Sequence, residues 1–136
     1  MKALLAAAAV ALAPTAAFAA GVEGLWETQT RGGFVQIAPC GAKLCGTLAD
    51  APDLQREPDA RDTRNRDPAK RARPLKGVTL LSGFSGGPTR WTGGTIYNPE
   101  DGRTYRSELT LADPSTLKVK GCFGPICRTQ TWTRAR

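Results

Sequence analysis

Apolar and polar side chains alternate through residues 103–111, RTYRSELTL, and again through residues 116–121, TLKVKG. In the first segment Tyr105 and Leu109 fall on one face of an extended chain, whereas Arg106 falls on the other. A period of two residues is typical of a β-strand with one buried face and one solvated face. Two such segments separated by a short connection predict a pair of antiparallel strands.

Strand character extends over most of the chain on both sides of this pair. Six further segments are rich in β-forming residues, at 24–30, 33–39, 44–49, 77–84, 90–97 and 126–134. The 15 glycines and 10 prolines suit many turns, and no segment after the N-terminal residues has a helical period. A chain of 136 residues is expected to form one domain. We therefore predict an all-β fold, a single small eight-stranded antiparallel up-and-down β-barrel, with a β-sandwich as the alternative.

The segment at 90–97 contains a paired Gly93 and Gly94, which predict a bulge or a tight bend. Simple alternation places Trp91, Thr95 and Tyr97 on one face of this strand. Aromatic side chains in a small barrel either fill its interior or line a pocket for one small ligand. The aromatic residues concerned are Phe34, Trp91, Tyr97, Tyr105 and Trp132.

The N-terminal residues 1–19, MKALLAAAAVALAPTAAFA, have the three parts of an export signal. Lys2 supplies the charge, residues 3–13 are apolar, and Ala17-Phe18-Ala19 has the small residues of a cleavage site. We expect a cleaved signal peptide, a mature domain at 20–136 and a location in the periplasm or outside the cell. No other apolar run approaches the roughly 20 residues of a transmembrane helix, so the mature protein is not expected to span a membrane.

The four cysteines are expected to form disulfides, because their number is even and an exported protein leaves the reducing cytosol. They are Cys40, Cys45, Cys122 and Cys127. The alternative is a zinc site built from the two C-x4-C pairs. In an up-and-down barrel the two cysteine-bearing turns fall at opposite ends, too far apart for a bridge between them. The barrel topology therefore predicts local pairing, Cys40 with Cys45 and Cys122 with Cys127.

Residues 50–76 contain eight basic residues, six acidic residues and four prolines, and they have too few apolar side chains for a core strand. We expect a solvated, partly disordered loop, with a functional lid as the alternative. Within it, Asp62, Asn65 and Asp67 could supply oxygen ligands to Ca²⁺. The neighbouring cations oppose a divalent ion, so we favour a role in ordering the loop through bonds to backbone amides or to arginines.

The residue types argue against several classes of function. Histidine is absent, which excludes Ser-His-Asp triads and histidine-containing metal sites. The carboxylates on the predicted strands and turns show no catalytic pattern, so an enzyme is not favoured. They are Glu27, Glu100, Asp101, Glu108 and Asp113. The net charge of +7 suits an anionic envelope component as partner rather than nucleic acid, or serves solubility alone.

A set of spaced motifs resembles one family of small exported bacterial proteins, the family called domain of unknown function 2147. The motifs are GLWET at 24–28, IAPCG at 37–41, LCG at 44–46, DTRNRD at 62–67, RPLKG at 73–77, GGTIYNP at 93–99, DGRTY at 101–105, LKVKG at 117–121 and TQTWTR at 129–134. The resemblance covers nearly the whole predicted mature chain. It implies an exported single domain, a lipocalin-like β-barrel and no settled biochemical activity.

A looser resemblance to lipocalins concerns the two ends of the barrel chain. Lipocalins carry Gly-x-Trp on the first strand and place an arginine of the last strand across that tryptophan, and Gly24, Trp26 and Arg134 are similar here. The predicted topology brings the start of the first strand and the end of the last strand to the same barrel end. The alternative is a core tryptophan and an unrelated arginine, and in both cases the role is structural.

These observations lead to two hypotheses of function. The first is an exported protein, without cofactor or metal, that binds a small apolar or amphipathic ligand between the 50–76 loop and the turns at 99–102 and 122–127. The second is an envelope interaction module that binds an anionic polymer or a protein through the 50–76 loop. The candidate ligand or loop residues are Asp62, Asn65, Asp67, Arg73, Trp91, Tyr97 and Tyr105, and the structural residues are Gly24, Trp26, Trp132 and Arg134.

Overall fold

The computed structural model describes residues 21–29 and 32–135, so the predicted signal peptide at 1–19 lies outside the described residues. Eight strands form a closed barrel in sequence order, in which each strand pairs antiparallel with the next and β1 pairs with β8. The strands are β1 Gly24–Glu27, β2 Phe34–Cys40, β3 Lys43–Asp50, β4 Thr79–Gly86, β5 Arg90–Asn98, β6 Arg103–Asp113, β7 Thr116–Phe123 and β8 Ile126–Arg134. The predicted all-β, eight-stranded antiparallel barrel is confirmed, and the sandwich is not formed.

Antiparallel pairing all the way around the barrel sorts the connections between its two ends. The open end carries the β1–β2, β3–β4, β5–β6 and β7–β8 connections. The closed end carries the other three connections and the two termini of the barrel chain. Here Val22 is fully buried, and its carbonyl accepts a 2.8 Å hydrogen bond from Trp26 Nε1. The segment before β1 therefore covers this end of the core.

The core lies inside the closed half of the barrel. Its largest fully buried side chains are Trp26, Trp132, Phe84, Ile37, Leu81, Leu109 and Leu117. On β6 and β7 the apolar positions of the alternating pattern face inward, with Leu109 opposite Val119 and Leu111 opposite Leu117. Ser107 is the polar residue on this face of β6, and its hydroxyl donates to the Lys120 carbonyl. Burial of this alternating face is what favours strands over other conformations for these segments.

A bulge in β5 changes which side chains face inward. The pairing with β6 shifts between Trp91 and Gly94, and Gly93 has a φ of 76°, which suits glycine. Beyond the bulge Ile96 is opposite the inward-facing Tyr105, so Tyr97 belongs to the outward-facing positions of β5, although its side chain also borders the cavity. The bulge predicted from Gly93 and Gly94 is therefore confirmed. The common face predicted for Trp91, Thr95 and Tyr97 is wrong for Trp91, because the bulge reverses the phase of alternation between it and the other two.

The cysteines form the two predicted local disulfides. Cys40 bonds Cys45 in the β2–β3 hairpin at the closed end, with 5.6 Å between the Cα atoms. Cys122 bonds Cys127 in the β7–β8 hairpin at the open end, with 4.0 Å between the Cα atoms. Each bridge joins the two strands of one hairpin. All four cysteine sulfurs are therefore bonded to each other and cannot serve as the thiolate ligands of the alternative zinc site. Disulfides of this kind fit an exported protein.

The long connection between β3 and β4 is folded, which corrects the expectation of a partly disordered loop. It contains a short helix, α1 Pro52–Arg56, a 3₁₀ turn at Pro68–Lys70 and an isolated bridge between Arg61 and Pro74. Leu54 and Asp62 in this connection are only 4% and 1% exposed. Low apolar content does not prevent folding here, because the buried polar groups are hydrogen-bonded to the loop and to the barrel. Neither helical segment in the described part of the chain is long and apolar enough to span a bilayer.

Candidate ligand cavity at the open end of the barrel

A cavity of about 700 Å³ lies at the open end of the barrel. Three of the connections at that end contribute to its lining, through Thr28, Leu54 and Glu100 among others. Next to the fourth connection, the ends of β7 and β8 contribute Phe123 and Ile126. The location follows from the topology, since odd-numbered connections of an up-and-down barrel share one end. This is the region between the long loop and the two turns in which the sequence predicts a ligand.

The wall of the cavity is formed by inward positions of the strands. Leu48, Ile96 and Val119 give it an apolar surface, and Gly121 leaves space where another residue would place a side chain. Val119 and Ile96 also pack against the buried core, so the cavity begins where the core ends. The interior is therefore filled in the closed half and hollow in the open half.

The rim of the cavity is polar and charged. Arg61 and Arg64 come from the long loop, Glu100 and Asp101 from the β5–β6 turn, and Arg128 from β8. An apolar wall below a charged rim suits an amphipathic molecule, whose apolar part can lie inside while its polar part stays at the mouth.

Tyr105 projects into this cavity from β6. Its hydroxyl donates a hydrogen bond to the Asp101 carboxylate, and its ring lies 6.0 Å from the Phe123 ring in an edge-to-face arrangement. The hydrogen bond to Asp101 raises the pKa of Tyr105, because it stabilises the protonated phenol. Tyr105 thus presents a neutral side chain to the cavity.

A second group of the predicted residues lies on the outer wall, around the buried Asp62. The Asp62 carboxylate accepts hydrogen bonds from Tyr97 Oη at 2.6 Å, Asn65 Nδ2 at 2.8 Å and Arg73 Nε at 2.9 Å. The Arg73 guanidinium also lies 5.4 Å from the centre of the Tyr97 ring. Three donors on a buried carboxylate satisfy its charge and join the loop to β5.

The remaining polar residues of this group order the loop itself. Asn65 Oδ1 accepts from the Asp67 backbone N–H at 2.9 Å, and Asp67 Oδ1 accepts from the Ala69 backbone N–H at 3.0 Å. Both are the local bonds by which Asn and Asp stabilise turns. Within the described residues, no group of His, Cys, Asp and Glu is arranged to hold a metal ion.

Close backbone contact presses the loop against the β5–β6 turn. Gly102 has a φ of 70°, and a Cβ atom there would lie 1.8 Å from the Arg64 carbonyl oxygen. Only glycine leaves room for this approach. The Arg64 Nη1 atom also donates to the Glu100 carbonyl at 2.9 Å, so the loop and the turn hold each other beside the cavity mouth.

The environment of Tyr97 changes its titration. Burial, followed by the hydrogen bond to Asp62, raises the pKa of Tyr97 to about 12. Both effects favour the neutral phenol, since the phenolate would be desolvated beside a carboxylate. Tyr97 therefore acts as a hydrogen-bond donor to Asp62 throughout the physiological pH range.

Comparison with known proteins gives the family of the chain. Residues 24–134 match DUF2147, described as an uncharacterized protein conserved in bacteria. The chain belongs to the DUF2147 family. Among solved structures, it is similar to protein HP1028 from Helicobacter pylori, which is described as belonging to the lipocalin family. The two are 27% identical with a TM-score of 0.74 over 84% of this chain and 82% of that chain. The comparison with curated proteins found no match.

At the seam of this DUF2147 barrel, where β1 pairs with β8, a tryptophan–arginine pair similar to that of lipocalins is present. The Arg134 guanidinium lies 4.4 Å from the centre of the Trp26 ring, and Arg134 Nη1 donates to the Glu23 carbonyl at 2.8 Å. Trp26 and Arg134 are also opposite each other where β1 pairs with β8. Gly24 begins β1 in the same seam, and Trp132 is buried in the adjacent core. This pair closes the barrel and is remote from the cavity mouth.

The structure divides the predicted candidate residues among three places. Asp62, Asn65, Asp67, Arg73 and Tyr97 form the cluster on the outer wall. Tyr105 lines the cavity, and Tyr97 borders it as well. Trp91 is only 3% exposed and belongs to the core, because the β5 bulge separates its face from that of Tyr97.

Several cavity residues were not named individually from the sequence, and they include Leu54, Gly121, Phe123, Ile126 and Arg128. Leu54, Phe123 and Ile126 do lie in the loop and the turn between which a ligand was predicted. One signal was present for Gly121, which falls on the same face as Leu117 and Val119 but has no side chain. A second was present for Phe123 and Ile126, which are apolar residues on either side of a Gly-Pro turn. Leu54 gave no such signal, because it stands alone in a polar segment.

Proposed function

We propose that this protein is an exported, non-enzymatic binding protein that takes one small apolar or amphipathic ligand into the open half of its barrel. The observation that supports it most is the cavity of about 700 Å³ with an apolar wall and a charged rim. Eight-stranded barrels have an interior of the size that holds one small ligand, as lipocalins do. The location that we propose is the periplasm or the medium outside the cell.

A bound ligand would be carried by the protein through purification and can be detected by its mass. Native mass spectrometry of protein purified from a bacterial periplasm should show an adduct that disappears on denaturation. The mass of that adduct gives the chemical class of the ligand. A bare protein that also fails to bind an amphipathic probe contradicts the proposal and shifts attention to the outer surface. There Arg66, Lys70, Arg73 and Arg103 line a groove of about 710 Å³.

A cavity-filling variant tests the site directly. In Gly121→Leu the new Cβ would meet Ile96 at 3.5 Å and Tyr105 at 4.0 Å, which are ordinary contacts, so the barrel should still fold. The rest of the leucine side chain should occupy part of the cavity and weaken binding of cis-parinaric acid, a fluorescent fatty acid, by about tenfold or more. Fluorescence titration in solution measures this.

Thr129→Leu is the matched control, because Thr129 is exposed on the outer face of β8, next to the hairpin strand that carries Gly121. It adds a leucine to the same hairpin without entering the cavity. Equal affinities for cis-parinaric acid in the Gly121→Leu and Thr129→Leu variants would show that the probe binds elsewhere.

A further inference from the structure

The tip of the β7–β8 hairpin is an exposed apolar feature at the rim of the cavity. In residues 21–29 and 32–135, the large hydrophobic side chains that remain exposed are Phe123 and Ile126, at 60% and 68%. They are opposite each other in the last pair of the β7–β8 ladder, on either side of the exposed Gly124-Pro125 turn. Both also line the mouth of the cavity. The apolar surface therefore continues from the cavity wall out to the tip.

The tip is held in a fixed shape. The next pair of the ladder is Cys122 and Cys127, whose disulfide joins the two strands directly below Phe123 and Ile126. Arg106 Nη2 donates to the Gly124 carbonyl at 2.7 Å, which ties the turn to β6. A surface that is already ordered loses little conformational entropy when it binds.

Cations surround the apolar tip. Arg103 lies 5.4 Å from the centre of the Phe123 ring, Arg106 bonds the turn, and Arg128 is exposed on the strand that follows. The acids nearby are Glu100 and Asp101 of the β5–β6 turn. Asp101 is already engaged, since it accepts from Tyr105 Oη and from the Arg103 backbone N–H at 2.9 Å. The balance of side chains around the tip is thus positive.

Apolar side chains with a collar of arginines are complementary to a membrane surface that carries anionic phospholipids. The apolar residues can enter the boundary between headgroups and acyl chains, while the arginines contact the phosphate groups. We propose that the Phe123–Ile126 tip docks this protein on anionic phospholipid membranes, with the mouth of the cavity facing the bilayer. Docking by the tip and the arginines around it does not depend on the ligand binding proposed above. The consequence that the ligand is a lipid drawn from that membrane rests on the function proposed above.

Vesicle binding tests the docking. Protein purified from the periplasm should float with vesicles of equimolar phosphatidylcholine and phosphatidylglycerol, and less with vesicles of phosphatidylcholine alone. The variant with Phe123→Ser and Ile126→Ser should lose about tenfold or more in affinity for the mixed vesicles, because its apolar contact is gone. Both residues are exposed, so the fold should be unchanged, and circular dichroism checks this.

A charge variant tests whether the arginines around the tip contribute to binding beyond the net charge of the protein. Arg128→Glu should weaken binding to the mixed vesicles by about tenfold, because it reverses one charge near the surface. Lys43→Glu makes the same change of charge at the exposed start of β3, at the closed end, and should leave binding nearly unchanged. Equal losses in the two variants would overturn the proposed orientation.

Insertion of the tip can be observed by fluorescence. The native Trp26, Trp91 and Trp132 are buried, so they respond little to vesicles. A Phe123→Trp variant should show a blue shift of its emission when the mixed vesicles are added, and quenching by brominated lipid. Absence of binding by the wild-type protein, or binding by the serine variant that equals wild type, would overturn the proposal.

The two proposals fail in different ways. Arg103→Glu, whose side chain packs on Phe123 but is not part of the cavity lining, should weaken vesicle binding and keep its affinity for cis-parinaric acid in solution. Gly121→Leu should lose affinity for cis-parinaric acid and keep its affinity for vesicles. Docking without ligand binding would contradict only the proposed function. Ligand binding without docking would contradict only this inference.

Discussion

Asp62 shows how one carboxylate can organise a polar segment. It is 1% exposed and accepts hydrogen bonds from Tyr97, Asn65 and Arg73, two of which belong to the loop and one to the barrel. A buried carboxylate without partners is strongly destabilising, so each donor limits the conformations open to the loop. The long connection is therefore held to the barrel wall by polar contacts more than by apolar ones.

Titration of Tyr97 tests this arrangement. The chain has two tyrosines, so in a Tyr105→Phe variant the phenolate absorbance reports Tyr97 alone. The folded protein should titrate with a pKa of about 12, above the ordinary value of 10.0. Because the folded pKa is raised, the stability linked to this group is present below pH 10.0 and is lost as the pH rises through about 12.

The control is the same titration after Asp62→Ala is added. Loss of the acceptor and of its negative charge should move the pKa of Tyr97 back toward 10.0, while burial keeps part of the shift. If both proteins titrate alike, the Tyr97–Asp62 hydrogen bond does not exist in solution.

At the scale of elements, the β7–β8 hairpin combines a structural bridge with an exposed tip. Cys122 and Cys127 are separated by five positions in sequence, as are Cys40 and Cys45 in the other hairpin. Bridges that close loops of equal length restrict the unfolded chain equally. Any difference between them in function must therefore come from their places in the barrel.

Removal of each bridge by paired Cys→Ser changes tests this difference. Each double variant should lose about 2 kcal/mol of folding stability in urea unfolding, from the entropy of a short closed loop. Only the loss of Cys122–Cys127 should also weaken vesicle binding, because only that bridge holds Phe123 and Ile126 together. Equal vesicle binding by both variants would argue against an ordered tip as the docking element.

At the scale of the whole molecule, the barrel depends on its seam between β1 and β8. Arg134 contacts the Trp26 ring and donates to the Glu23 and Pro114 carbonyls, at 2.8 and 2.6 Å. One side chain thus connects the N-terminal segment, the last strand and the β6–β7 turn. The closed end of the barrel is the part of the molecule that this contact stabilises.

Arg134→Gln should lower the free energy of unfolding by about 1–3 kcal/mol, because it removes a cation–π contact and hydrogen bonds to backbone carbonyls. Urea unfolding measures the change. Arg90→Gln is a suitable comparison, since the Arg90–Glu108 ion pair is exposed at 2.9 Å and should contribute about 0–1 kcal/mol. Ligand binding at the opposite end should be unchanged in both variants.

The strands, the eight-stranded barrel and the pairing of the cysteines could be predicted from the sequence. The alternation on β6 and β7 depends only on which side chains avoid water, and the order of hairpins then assigns each turn to one end. The residues of the cluster on the outer wall around Asp62 could also be predicted from the sequence, because Asn and Asp near Arg, Gly and Pro strongly favour turns and local hydrogen bonds.

The position of the hollow part of the interior and the burial of individual polar groups became clear only from the folded chain. The paired glycines predict the bulge at Gly93, but they do not show that it shifts the alternation by one residue and so separates the faces of Trp91 and Tyr97. The burial of Leu54 and Asp62 depends on partners far away in the chain, as does the space left above Val119 and Gly121. Local preference fixes a strand, whereas a cavity is defined by side chains from many strands at once.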